Sequence, residues 1–232
     1  MKKIVVCILA IVLSGSIFAQ KISGGLFFGP TMSWMSTDSK TITTEGMKFG
    51  YNFGALLDIN LIDNFAISTG VQFNNMGGTV NFTYGAFGVE PDEGPAYDTL
   101  TAGSAIKYNL NYLAIPVGFK GKTNEIGYLT YFLKAGVTPL VNIKTLGDVS
   151  GSVNEESILL TKEISLINMG WHIGGGAEYS LSGNTRILFE VLYTGGLIDV
   201  DNPEVFTDET MTSKSNPKVS LSDIHLKVGI LF

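Results

Sequence analysis

Apolar and polar side chains change places at every second residue through most of this chain, and that period limits what its 232 residues can build. From Phe49 to Ile59 every odd position is apolar, while the even ones, Leu56 apart, are small or polar. Phe65, Ile67, Val71 and Phe73 alternate with Ser68, Gly70, Gln72 and Asn74. Leu113, Ile115, Val117 and Phe119 alternate with Ala114, Pro116, Gly118 and Lys120. The pattern returns in Leu129–Thr138, Ile167–Tyr179, Arg186–Thr194 and Asp223–Phe232, and more weakly in Lys21–Met32. Neighbouring side chains of a strand point to opposite faces, so a period of two predicts eight strands.

After Gln20 no run of eighteen apolar residues occurs, which leaves no membrane helix. Yet charged residues are only 16%, against roughly 25% in average soluble domains, and the mean hydropathy is +0.26. One strand face carries aliphatics and aromatics; the other is rich in Gly, Ser, Asn and charge. Apolar flanks turned to lipid and polar flanks packed into a narrow tube satisfy both facts. In lipid every backbone N–H and C=O must pair within the protein, so such strands have to close without edges. Eight strands give a lumen filled by side chains. The expected fold is all-β, an eight-stranded antiparallel transmembrane β-barrel. A soluble barrel is the alternative, and it predicts fewer outward aromatics.

The connections support the membrane reading. Short turns at Leu61–Asn64, Lys122–Gly127 and Leu181–Asn184 alternate with long segments at Ser33–Met47, Gly77–Ser104, Lys144–Ser165 and Ile198–Ser220. Bacterial outer-membrane barrels have short periplasmic turns and long extracellular loops. The long segments hold fifteen acidic and five basic side chains, so the external surface is acidic. Aromatics gather near strand ends in two groups, Phe65, Phe119, Tyr179 and Phe232 at one rim and Phe49, Tyr51, Phe73 and Tyr193 at the other, as interfacial belts do. Lys2 and Lys3 followed by the apolar run Ile4–Leu13 and the small residues to Ala19 predict a secretory signal peptide over 1–19, leaving a barrel domain over 20–232. Cys7 would leave with that peptide, so no disulfide is expected. The net charge of −6 offers no basic stripe for nucleic acid. Two histidines and one cysteine are too few for a Cys/His zinc site, and no cofactor is expected.

Asn111-Tyr112-Leu113-Ala114-Ile115-Pro116-Val117-Gly118-Phe119-Lys120 resembles the Tyr-Leu-x-Ile-Pro-Leu-x-x-Lys strand of PorT-like outer-membrane β-barrel proteins from Bacteroidota, with Val117 where Leu is usual. The final strand, with Ile224, Leu226, Val228, Ile230 and Phe232, is similar to the insertion signal read by the barrel-assembly machinery. The resemblance implies an outer-membrane location, contact with outer-membrane lipids and a role shared by some members in gliding or secretion. It does not imply an activity.

On the inward register lie Asp58, Lys120, Lys134, His172, Glu178, Arg186, Glu190, Asp223, His225 and Lys227. Unpaired charges at membrane depth are expensive, so these are expected to form an interior network, with Glu190–Lys227 the first pair. A hydrolytic cluster around His172 and His225 would need access that a filled lumen denies, so no catalytic residue is assigned. Asp199-Val200-Asp201-Asn202-Pro203-Glu204 offers clustered oxygens without the glycine or spacing of an EF-hand. Asn74–Gly78 is expected to bend the third strand, and Val80, Phe82 and Tyr84 to continue it as a protruding sheet open to a partner's strand. Three function classes remain: a non-enzymatic scaffold or surface-interaction protein, a narrow conduit lined by Phe27, Phe132, Leu188 and Leu192, and a membrane-embedded lipid hydrolase.

Overall fold

The computed structural model describes residues 22–38, 42–82, 87–89, 91–92, 97–100, 103–151, 154–200 and 218–232. The expected signal peptide, with Cys7, lies outside the described residues. In chain order the strands are β1 (Ile22–Thr37), β2 (Ile42–Glu45), β3 (Lys48–Ile62), β4 (Phe65–Phe82), β5 (Phe87–Val89), β6 (Tyr97–Leu100) and β7 (Ala105–Ala114). They continue as β8 (Val117–Lys122), β9 (Leu129–Ser150), β10 (Glu155–Leu159), β11 (Ile167–Ser182), β12 (Thr185–Gly196) and β13 (Val219–Leu231).

Eight staves form a closed ring. β1 pairs β3, β3 pairs β4, and β4 pairs a stave made of β7 and β8. That stave pairs β9, then β11, β12 and β13 follow, and β13 returns to β1. Every pairing is antiparallel, and the seam is sealed by Gly24 N–H to Phe232 O at 3.0 Å and Phe232 N–H to Gly24 O at 2.8 Å. The broken stave is explained by Pro116, which has no N–H for the ladder. Ile115 N–H still donates to Pro139 O at 3.0 Å, so the break stays bonded to β9.

Outside, Leu26, Phe28, Phe119 and Leu133 are 61%, 61%, 72% and 75% exposed, while inward polar residues are buried: the arrangement is inside-out relative to a water-soluble core. Aromatic groups mark the rims, with Tyr51, Phe53 and Phe73 stacked together and Trp34 and Trp171 each tilted against Tyr193.

Two expectations are corrected. The first concerns strand length. β4 continues through Asn74–Gly78 to Phe82, as expected from Val80 and Phe82, although its ladder with β3 stops at Asn74; β9 runs to Ser150, well inside a segment expected to be loop. A membrane strand needs about 9–11 residues. The 18 residues of β4 and 22 of β9 therefore carry the wall above the bilayer, where β2 and β10 join it to make the sheet β2-β4-β7-β9-β10. The Val80–Phe82 stretch has no open edge, since β2 takes one side and β7 the other; Tyr84 lies outside the described residues.

The second concerns the lumen, which is not polar throughout. Along β4 the inward residues are Ser68, Gln72 and Asn74, then Met76, Val80 and Phe82. On the β8–β7 stave Lys120 gives way above to Tyr112, Leu110, Tyr108 and Ile106. The alternation inverts between Phe73 and Asn75, and between Leu113 and Asn111. Below that level the lipid side is apolar; above it water bathes the outside, so the apolar residues turn inward.

Candidate functional site in the lumen

From the periplasmic end upward, the lumen is built in layers. Lys120 donates to Asp58 Oδ2 at 2.5 Å and to Glu178 Oε1 at 2.6 Å. Arg186 reaches the other oxygen of Glu178 and donates to Ser23 Oγ at 2.9 Å. Above them, Glu190 is shared: Lys134 donates to both its oxygens at 3.0 and 2.9 Å, and Lys227 lies 3.3 Å from Oε1 while donating to Gln72 Oε1 at 3.0 Å. Glu190 and Lys227 are direct register partners on β12 and β13. The lysines also lie against aromatic rings, Lys120 4.3 Å from the centroid of Phe132 and Lys227 4.7 Å from that of Phe27. Phe27, Phe132, Leu188 and Leu192 are thus all inside and buried, the two phenylalanines packed on ammonium groups.

In the next layer His225 Nε2 lies 2.6 Å from Asp223 Oδ1 and its Nδ1 is 2.9 Å from Thr31 Oγ1. The approach to the carboxylate is close, but Asp223 Oδ1 has no hydrogen-bond partner among the described residues. Asn52 Nδ2 donates in turn to Thr31 Oγ1 at 2.9 Å. His172 stands apart from this pair, its Nδ1 2.8 Å from Thr138 Oγ1. Hydroxyl, imidazole and carboxylate follow the order a hydrolase uses. However, Thr31, His225 and Asp223 are 0%, 1% and 2% exposed.

The structure therefore places four cationic side chains and four carboxylates in the lumen as three groups, Lys120–Asp58–Glu178–Arg186, Lys134–Glu190–Lys227 and Asp223 beside His225. A gap of about 10 Å³ between Tyr112, Asn168, Thr194 and Asp223 separates them from the apolar cap of Met35, Met76, Leu110, Tyr112, Leu140, Leu160 and Leu221. Toward the periplasm a recess of about 610 Å³ between Asn60, Lys122, Glu125 and Arg186 ends on the Arg186–Glu178 pair. Of the acidic segment 199–204, Asp199 and Val200 are described; Val200 is buried in the cap, and the rest lies outside the described residues. Met35 and Leu160 of the cap fall in segments expected to be loop, while Met76, Leu110, Tyr112, Leu140 and Leu221 lie at strand tops where the apolar face changes sides. The inversion of the alternation was the signal for it.

A closed ring with a lipid-facing exterior and a filled interior defines an outer-membrane β-barrel. The chain belongs to the outer membrane protein β-barrel domain family, whose profile matches residues 18–202, and it resides in the outer membrane. Among solved structures it resembles the Neisserial surface protein A, NspA, at 10% identity and a TM-score of 0.51, covering 91% of this chain and 98% of that one. It also resembles OprG from Pseudomonas aeruginosa (11% identity, TM-score 0.48, 92% and 97% covered). A third is Ail, the attachment invasion locus protein of Yersinia pestis (12% identity, TM-score 0.43, 91% and 99% covered). At such identities the likeness speaks for the fold. No curated protein matches the chain.

Proposed function

We propose that the protein is a non-enzymatic barrel that holds a rigid extracellular sheet for contact with a surface or envelope partner. The observation that carries this reading is the combination of a filled lumen with a wall that continues above the bilayer as β2-β4-β7-β9-β10. Among the described residues, β2 pairs only β4 and β10 pairs only β9; at β10 Leu159 O already accepts from Asp92 N–H at 2.9 Å, so the edge that another chain can extend is that of β2. The PorT-like character of Asn111–Lys120 points to a secretion or gliding assembly as the partner. Against the conduit reading stand the ion layers and apolar cap across the same lumen; against the hydrolase, the burial of Thr31, His225 and Asp223.

The structure offers an excision point. Phe82 N–H donates to Ser104 O at 2.9 Å and Gly103 N–H to Phe82 O at 2.8 Å, so the ends of the β4–β7 excursion are already joined. Replacing residues 84–101 by a two-residue turn keeps β4 and β7, at the cost of Asp92, whose carboxylate accepts from Thr161 N–H and Lys162 N–H at 3.1 and 3.0 Å; a cut at Gly77 would destroy both strands. The shortened barrel should still show heat-modifiable folding on a gel and, because β2 remains, keep the in vivo adducts formed by a cross-linker placed at Thr43; absence of any adduct from Thr43 would overturn the edge contact. An unchanged adduct pattern from the folded, shortened barrel would remove this excursion as the contact. Single-channel conductance in a planar bilayer would overturn the sealed-scaffold reading.

A further inference from the structure

The outer wall immediately above the apolar belt carries a basic patch in an otherwise acidic surface. Phe73, Leu113 and Val141 are register partners on the outward face near the top of the apolar belt, with Ile143 exposed just above Val141 on β9. The next outward level is Asn75, Asn111 and Lys144, then Gly77 and Asn109, then Thr79, Lys107 and Asp148. Two residues of strand rise about 7 Å, so these groups stand at the height of headgroups in the extracellular leaflet.

Three features show that this level is built. First, the register between β7 and β9 slips between Asn111 and Tyr112, which pair with Lys144 and Asn142. The extra residue, Ile143, turns Lys144 to the outside, where it would otherwise point into the lumen; bulges commonly re-aim a side chain in this way. Second, Asn75 Nδ2 donates to Asn109 Oδ1 and Asn111 Oδ1, both at 2.7 Å, linking the amides across two strands. Third, Lys48 crosses Gly77, where a Cβ would come within 3.1 Å of its Cδ, and donates to Asn109 Oδ1 at 2.6 Å, Asn75 Oδ1 at 2.9 Å and Met76 O at 3.1 Å.

Lys48 thus holds a half-buried charge on neutral acceptors, and Lys107 and Lys144 are exposed beside it. Among the described residues none of the three forms an ion pair with a carboxylate. Asp148, the acid at this level, accepts from Ser157 N–H at 2.9 Å. Burial and the neighbouring Lys107 charge, only partly offset by Asp148, hold the Lys48 ammonium down to about 8, so an added anion is favourable there.

We propose that Lys48, Lys107 and Lys144, with the carboxamides of Asn75, Asn109 and Asn111, bind the phosphorylated sugar headgroup of a lipid A-type glycolipid in the extracellular leaflet. The lysines neutralise phosphate, and the carboxamides both donate to and accept from sugar hydroxyls. The acyl chains then lie along the exposed belt of Leu113, Val141 and Phe49.

The test is native mass spectrometry of the detergent-solubilised full chain with diphosphorylated lipid A, the same lipid dephosphorylated, phosphatidylglycerol, and inorganic phosphate as competitor. Wild type should retain the phosphorylated glycolipid at least tenfold over the dephosphorylated form and over phosphatidylglycerol. K107Q/K144Q, altered only at exposed side chains, should fold normally by heat-modifiability and lose that preference, whereas K162Q should keep it. Equal retention of the phosphorylated and dephosphorylated lipids, or of the glycolipid by wild type and double variant, would overturn the site. Equal retention of phosphatidylglycerol would overturn the sugar assignment, and displacement by millimolar inorganic phosphate would make it a free-anion site. The lipid preference of wild type reads out even if a variant misfolds.

Discussion

Lys120 of β8 and Lys134 of β9 are direct register partners, both inward and both buried, yet they bond different carboxylates. Lys120 turns toward the periplasm to Asp58 and Glu178, and Lys134 turns away to Glu190. Two like charges on facing strands are tolerated because each is enclosed by opposite charge in its own layer. Removing Lys120 leaves buried Asp58 without its cation and Glu178 with Arg186 alone, and breaking a buried pair costs about 3–5 kcal/mol. K120M should lose stability on that scale in urea unfolding followed by the fluorescence of Trp34 and Trp171. K120M/D58N should recover a substantial part of the loss, and equal stability of single variant and wild type would refute the enclosure argument.

The apolar cap makes a different prediction, because it is held by packing. Leu110 is fully buried on β7 among Met76, Leu140 and Leu160. L110A leaves a cavity and should cost about 2–5 kcal/mol. It should not create conductance, since the ion layers below are untouched. A conducting L110A barrel would show that the cap alone seals the lumen.

Gly118 and Gly136 face each other across β8 and β9, and His172 lies over them. A Cβ on Gly118 would meet Ala135 O at 2.5 Å and His172 Nε2 at 2.8 Å. G118A should therefore destabilise by overpacking, by about 1–3 kcal/mol. H172A in the G118A background removes the side-chain clash but not the one with the backbone oxygen, so recovery should be partial. A double-mutant cycle reads the coupling, and additive effects would show that the imidazole does not press on this position.

Much of this was legible because a strand's period is exact at two residues. Once Phe65, Ile67, Val71 and Phe73 are placed in lipid, Ser68, Gln72 and Asn74 have to be inside, and the same parity carries Lys120 and Glu190 inward without any knowledge of their partners. What parity cannot supply is distance: that Glu190 serves two lysines, or that Arg186 and Lys120 divide Glu178, depends on the stagger between strands. The cap and the lysine patch escaped for another reason. Where β4 leaves the bilayer, Met76, Val80 and Phe82 keep alternating on the opposite parity, and a reading that expects apolar residues outside continues the strand without turning these side chains into the lumen. Lys144 is harder still, because a bulge reverses its face locally.

The patch has its own pH signature. Lys48 stands above the apolar belt, and burial, reinforced by the Lys107 charge and opposed by Asp148, lowers it from 10.5 to about 8. The unfolded chain keeps this proton up to its ordinary value, so between about 8 and 10.5 the unfolded state binds more protons than the folded one. Stability then rises with pH across that window, and the penalty is fully present below it. Other titrating groups are common to wild type and K48M and drop out of their difference. The urea midpoint of wild type relative to K48M should therefore increase between pH 7.5 and pH 9.5. A constant difference would mean that Lys48 carries its charge without strain, and a falling one that a carboxylate stabilises it.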